Sequence, residues 1–303
     1  MEKVKRRRMT KDRLTLLLMT IPSAILVFVF AYLPITGWIY AFYDYRIGYD
    51  LSMCEFIWFD NFEYAFGNTY VIQVLWNTLS ISLMGLMNIP IACGIAILLS
   101  EVRFVRFRKA VQTTITLPYF ISWVIVYSIV YALFSMEGLI NLSLNNAFGL
   151  ELTGSPLSNP DTAKLFMVSL SIWKNAGYNS IIFFASIASI DTELYDAAAV
   201  DGCGRWQKIR YITIPSLVPT LLIVFIIQIG YILNSGFDQF YCFMNPIVQS
   251  QIEVLDYYVY RLGMLENDIP VSTAVSMTKS FISIILVFTV NRIAKKTAGQ
   301  SIV

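Results

Sequence analysis

Long apolar runs separated by short polar ones dominate this chain. Six runs reach the roughly 20 residues that a membrane-spanning helix needs: Leu14–Phe42, Val71–Leu99, Thr113–Phe134, Leu165–Ala188, Ile214–Ser235 and Val271–Val290. The first is longer than the apolar core of a signal peptide and has no small-x-small cleavage site, so it reads as a helix. Pro22, Pro34 and Pro90 fall inside runs, where the missing N–H and the ring should kink the helix. The expected architecture is an all-α integral membrane protein, one transmembrane domain over residues 1–303.

Within the runs, polar residues recur at helical spacing. The third carries Tyr119, Trp123, Tyr127 and Tyr131 at steps of four. The fourth carries Ser171, Lys174, Asn175 and Tyr178, and the fifth Gln228, Tyr231, Ser235 and Asp238. The sixth carries Ser272, Ser276, Lys279, Ser280 and Ser283. A lysine at mid-bilayer costs about 2.5–3.5 kcal/mol even on lenient insertion scales, so Lys174 and Lys279 should face protein or water. Such stripes either line a hydrated path or join helix to helix. Trp123, Tyr127, Lys174, Asn175, Tyr178, Gln228, Tyr231, Ser235 and Asp238 are the candidate path residues. Lys174 has three readings: solvated by water or amides, facing an anionic cargo, or donating to backbone carbonyls at a kinked helix.

Charge fixes an orientation. Segments 1–13, 100–112, 189–213 and 291–303 hold 17 of the 22 Lys and Arg but 7 of the 20 acids. The positive-inside rule puts those segments, and both termini, in the cytoplasm. Composition excludes several chemistries. There is no histidine, the four cysteines lack CxxC spacing, and no metal site is expected. Cys54 and Cys242 both fall on the outer side, where a disulfide between them stays an open alternative. No acid is expected at mid-depth, which disfavours an ion-coupled carrier. No convergent nucleophile, base or metal set suggests a membrane enzyme.

The loop 189–213 is unusual. Asp191 can cap a short helix with Glu193 in its first turn. Gly202 can stop that helix, Gly204 allows a second bend, and Pro215 suits the first turn of the next helix. The short helix either lies on its own bundle or docks into a cytoplasmic partner. Its spacing resembles the signature of permease subunits of ATP-driven (ABC) importers: Glu-Ala-Ala, three residues, Gly, nine residues, Ile-x-Leu-Pro. Here it stands as Asp196-Ala197-Ala198, Gly202 and Ile212-Thr213-Ile214-Pro215, with Asp for Glu and Ile for Leu. NTLSISL (77–83), LLSEVRFVRFRKAVQTTITLPYFISW (98–123) and GFDQFYCFMNP (236–246) are similar to the carbohydrate branch of that family, which includes permeases for oligosaccharides such as pectin fragments.

The resemblance implies a type I importer permease with six transmembrane helices in a bacterial cytoplasmic membrane. Glu193, Asp196, Ala197, Ala198, Gly202, Ile212, Ile214 and Pro215 would then form the part that couples to an ATPase. The chain has no GxxxxGK[ST] phosphate loop. ATP and magnesium would be used by a separate ATPase, with no cofactor on this chain. Implied partners are a second permease in a heterodimer, two cytoplasmic ATPase subunits, an extracellular solute-binding lipoprotein and the lipid bilayer, with no nucleic acid. The cytoplasmic stretch 106–109 (RFRK) faintly resembles 205–208 (RWQK), each ahead of a Pro-headed helix. That likeness reads either as a trace of duplication or, as the favoured alternative, as the usual placing of basic residues at cytoplasmic helix ends.

Overall fold

The structure, a computed structural model, describes residues 11–148, 155–234 and 236–298. It is helical, and among the described residues the only β pairing is the isolated Tyr43–Phe56 bridge. In chain order the α-helices are α1 (Lys11–Val27), α2 (Asp60–Gly67), α3 (Thr69–Gly85), α4 (Asn88–Ser100), α5 (Val105–Thr116), α6 (Trp123–Phe134), α7 (Leu139–Phe148) and α8 (Pro160–Ala188). They continue with α9 (Thr192–Val200), α10 (Arg205–Lys208), α11 (Ile214–Gly230), α12 (Phe237–Phe243), α13 (Gln249–Ile252), α14 (Leu255–Tyr260) and α15 (Ile269–Ala298). Five described stretches are long and apolar enough to cross a membrane: Thr15–Phe42, Thr69–Ser100, Trp123–Ser143, Arg205–Gly230 and Ile269–Arg292.

The described residues form two compact units. In Met1–Ala65 with Leu262–Met277, α1 gives way to a π turn (Phe28–Tyr32) and a 3-10 stretch (Leu33–Phe42) headed by Pro34. Side chains from Thr15 to Thr36 are exposed all round, as suits an apolar helix whose solvent is lipid. Below it, Phe42 packs against the rings of Phe56, Phe59 and Phe62. Asn61 fixes this turn by donating to the carbonyls of Ala41 (2.9 Å) and Tyr43 (3.2 Å). Asp268 accepts from the Val271 N–H at the head of α15. Burial pushes the Asp268 carboxyl above its ordinary pKa, against the opposing pull of that N–H.

In Phe66–Arg261 with Thr278–Val303, two buried clusters set the helix packing. One joins Ile81, Val126, Met167, Phe240, Phe243 and Ile252. The other joins Ile89, Ala92, Ala96, Phe183 and Leu217, where α4 lies along α8. The α3–α4 helix is interrupted at Leu86–Met87. That is the turn in which Pro90 can neither donate to nor fit over the carbonyl four residues back.

Several expectations are corrected here. The run Thr113–Phe134 is not one helix. It is α5, a 3-10 turn (Leu117–Phe120), an extended break at Ile121–Ser122, and α6 capped by Ser122. The fifth run ends at Gly230 instead of Ser235, and Gly236 (φ +79°) starts α12, so Gln228, Tyr231 and Asp238 do not share one helix. α11 begins at Ile214 as expected, and it continues without a break from α10 through a π turn (Ile209–Thr213), in which the Ile214 N–H donates to Ile209 O. Between the fifth and sixth expected spans, Glu253 is fully buried, accepting from Arg261 Nε (2.8 Å), Gln249 and Tyr70 Oη, and Asp256 pairs with Lys279.

Candidate functional site

The loop after α8 is built almost entirely from local rules. Asp191 accepts from the Glu193 N–H (3.0 Å) and so caps α9. At the other end the Cys203 N–H reaches back to Ala198 O (2.9 Å) and Gly202 takes φ +76°. This is the wrapped C-terminal turn that favours glycine. Gln207 accepts from the Gly204 N–H (2.7 Å) and starts α10. Glu193, Asp196, Ala197 and Gly202 are exposed and Ala198 and Ile212 half-buried. Ile214 and Pro215 lie on the exposed side of α11.

One feature that the sequence did not suggest ties α9 to the foot of α11. Tyr195 is half-buried, its hydroxyl meets Thr213 Oγ1 (2.9 Å), and its carbonyl accepts from Lys208 Nζ (2.9 Å). Around this latch Val200, Trp206 and Tyr211 stand out with 89%, 72% and 70% of their surface exposed. An apolar surface of this kind next to charged residues fits a docking face.

Deeper in the same unit, a cavity of about 380 Å³ lies among α3, α4, α8, α11 and α12. The structure brings four of the expected path residues to it: Asn175, Tyr178, Gln228 and Tyr231. They are joined by Ser82, Asn88, Tyr119, Ser171, Asn179, Asn234 and Gln239. No acid or base lines it among the described residues. The Tyr119 and Tyr178 rings stack at 3.8 Å and 4°. Asn88 Oδ1 is buried with no hydrogen-bond partner among the described residues. A second cavity of about 830 Å³ is lined by Tyr127, Tyr131, Glu137, Phe243 and Asn245 among others. The row Tyr119, Trp123, Tyr127 and Tyr131 is therefore divided by the helix break. Tyr119 serves the smaller cavity, and Tyr127 and Tyr131 serve the larger. Trp123 packs edge-on to Phe243.

Lys174 and Asp238 line neither cavity. Lys174 is buried and donates to the carbonyls of Pro118 (3.0 Å), Tyr119 (2.8 Å) and Ile121 (2.5 Å). Of its three readings, the backbone donor is the one that the geometry carries. Asp238 sits in the first turn of α12. Ser235 lies outside the described residues. Asn179 extends the α8 stripe by one position, four residues after Asn175, and was legible there; Asn88 and Gln239 lie on other helices, and only tertiary packing brings them to the same cavity. All four cysteines, Cys54 and Cys242 included, are free thiols.

Residues 88–298 match the family model described as binding-protein-dependent transport system inner membrane component. The chain is 37% identical to Protein LplB of Bacillus subtilis (strain 168) over 283 residues, which is 93% of this chain and 88% of LplB. It is 34% identical to the polygalacturonan/rhamnogalacturonan transport system permease protein YteP of the same organism, over 95% and 89% of the two chains. Among solved structures, it is similar to a chain of a bacterial alginate ABC transporter in complex with an alginate pentasaccharide-bound periplasmic protein. There the TM-score is 0.86 at 32% identity, covering 96% of this chain and 98% of that one. With its apolar helices, its capped loop and these likenesses together, the chain belongs to the family of inner membrane components of binding-protein-dependent transport systems.

Proposed function

We propose that this chain is one of two permease subunits of an ATP-driven importer that carries an oligosaccharide across the bacterial cytoplasmic membrane. The observation that carries this reading is the chemistry of the 380 Å³ cavity. Its wall offers amides, hydroxyls and stacked tyrosine faces and no charge, which suits a ligand with many hydroxyls and apolar ring faces. The unpartnered Asn88 Oδ1 is an acceptor in want of a donor. The carbohydrate names borne by the relatives point to the same class of cargo.

Six spans with both termini inside are the proposed topology. The 29-residue α8 is too polar to join the five most apolar stretches, yet at about 1.5 Å per residue it is long enough to cross. The basic bias of segments 100–112 and 189–213 supports the orientation. In this reading α9, with Glu193, Asp196, Ala197, Ala198 and Gly202, docks on one of two separate ATPase subunits, which alone bind ATP and magnesium. Ile212, Ile214 and Pro215 carry the motion into α11. A second permease completes the path, and a solute-binding lipoprotein delivers cargo from outside. The chain itself catalyses nothing.

The test is reconstitution of the complete transporter in proteoliposomes. Oligosaccharide uptake and binding-protein-stimulated ATP hydrolysis are expected, with Asn175→Ala lowering uptake and leaving expression intact. Hydrolysis that ignores every oligosaccharide presented, with uptake of a non-sugar solute instead, would remove the carbohydrate reading.

A further inference from the structure

We infer that Lys174 is a tethered cation filling a carbonyl site that a free alkylammonium or alkali ion could otherwise occupy, and that it thereby fixes Tyr119 in the cavity wall. This inference rests on the reading of the cavity as a transport path. It begins with the break at Ile121–Ser122, where the backbone leaves helical geometry. Three carbonyl oxygens there, from Pro118, Tyr119 and Ile121, converge on one point 2.5–3.0 Å away, which Lys174 Nζ fills. An ammonium has three protons and donates all three here.

The remaining surroundings are also those of a cation site. The Tyr119 and Trp123 rings stand 5.8 and 5.4 Å from the nitrogen, within range of a cation–π attraction. Carboxylates meet Lys279 and Arg261, whereas Lys174 has none among the described residues. Unwound backbone whose carbonyls hold a cation is a device by which ion-coupled carriers bind sodium. Here a covalently attached ammonium occupies such a cradle, so no exchangeable ion is needed.

The cradle also shapes the path. The carbonyl of Tyr119 is held by Lys174, and its ring lies flat on Tyr178, four residues further along α8. Between them on α8, Gly177 permits contact: a Cβ there would lie 1.9 Å from the Ile115 carbonyl oxygen. Lys174 is thus a positioning residue that does not touch cargo. Without it, three part-buried carbonyls face one another unpaired, which is costly, and the 117–121 segment loses its anchor.

Lys174→Ala, which removes a propylammonium equivalent, tests this in the assembled transporter. In N-methylglucamine buffer its uptake should fall roughly tenfold, the scale set by orphaning buried acceptors. Propylammonium should restore much of the loss, potassium less, and tetraethylammonium none, with wild type indifferent to all three. Wild-type uptake by Lys174→Ala, or a loss that no cation restores, overturns the inference. If Lys174→Ala does not assemble with its partners, the Lys174→Ala chain alone in detergent gives the second measurement. Propylammonium should raise its Tm and leave the wild-type Tm unchanged, and equal shifts in both contradict the cradle. This second readout needs no cargo, so failure of the sugar reading would appear separately, as wild type that takes up no oligosaccharide.

Discussion

The segments on either side of α11 look alike in sequence and behave in opposite ways. Residues 189–213 and 236–268 are both mixed polar stretches between apolar helices. The first satisfies its hydrogen bonds locally, through Asp191, Gly202 and Gln207, and leaves its short helix exposed. The second is held from far away. Asn77 donates to Ser250 O and Glu253 O, Thr78 Oγ1 accepts from the Leu255 N–H, and Tyr70 binds Glu253. A segment that keeps its bonds to itself is free to serve as a detachable surface. A segment bonded to α3 across more than 170 residues is part of the core.

The contrast is broken most severely at Glu253. Glu253→Ala removes a fully buried carboxylate that Arg261, Gln249 and Tyr70 share and should cost about 3–5 kcal/mol, read as a large drop in detergent Tm or in folded yield. An unchanged Tm would mean that the 236–268 segment is a loop after all. Next comes Gly177→Ala. A Cβ at 1.9 Å from backbone forces α5 and α8 apart, at about 1–3 kcal/mol for overpacking, measurable as lowered Tm together with lowered uptake.

Substitutions in the 189–213 loop should split stability from function. At Gly202 there is open space for a side chain but φ is +76°, so Gly202→Asp adds local strain of about 1–2 kcal/mol. Insertion and Tm should stay near wild type while uptake is lost. Normal uptake by this variant removes the loop from the mechanism. Tyr195→Phe removes only the bond to Thr213, about 0.5–1.5 kcal/mol. It should loosen coupling, seen as ATP hydrolysis per sugar rising, with assembly intact.

The smallest effect is at Asp268. Its folded pKa is raised by burial, so the folded state binds the proton more readily than the unfolded one. Stability from this group is therefore fully present below the unfolded pKa, is lost as pH rises through the folded pKa, and is reduced at neutral pH. Asp268→Asn keeps the acceptor for Val271 and should flatten the slope of Tm against pH, by an amount small beside the others. A steeper slope would contradict the assignment.

What the sequence revealed follows the same division. Helical runs, the α9 cap, the Gly202 stop and the break ahead of Pro90 are legible because each depends on residues within a few positions. The break at Ile121–Ser122 was not legible. It is held by Lys174 and Gly177 from α8, more than 50 residues away. The same holds for the buried acid Glu253, whose partners Tyr70 and Arg261 come from separate helical segments. Four of the eleven polar residues named around the 380 Å³ cavity are among the expected path residues: Asn175, Tyr178, Gln228 and Tyr231. Periodicity correctly found polar faces on α8, but it could not tell that Lys174 turns to the backbone while Asn175 turns to the cavity.

The central claim is that α9 is a plug for a separate ATPase, and cross-linking tests it most directly. In a chain with Cys54, Cys93, Cys203 and Cys242 replaced, the exposed Ala197 is changed to cysteine. The chain is then assembled with ATPase subunits carrying single cysteines in their surface grooves. The account predicts a disulfide between the chains whose yield changes when ATP binds. Efficient reaction of Ala197→Cys only with membrane-embedded reagents, and with no ATPase position, would contradict it.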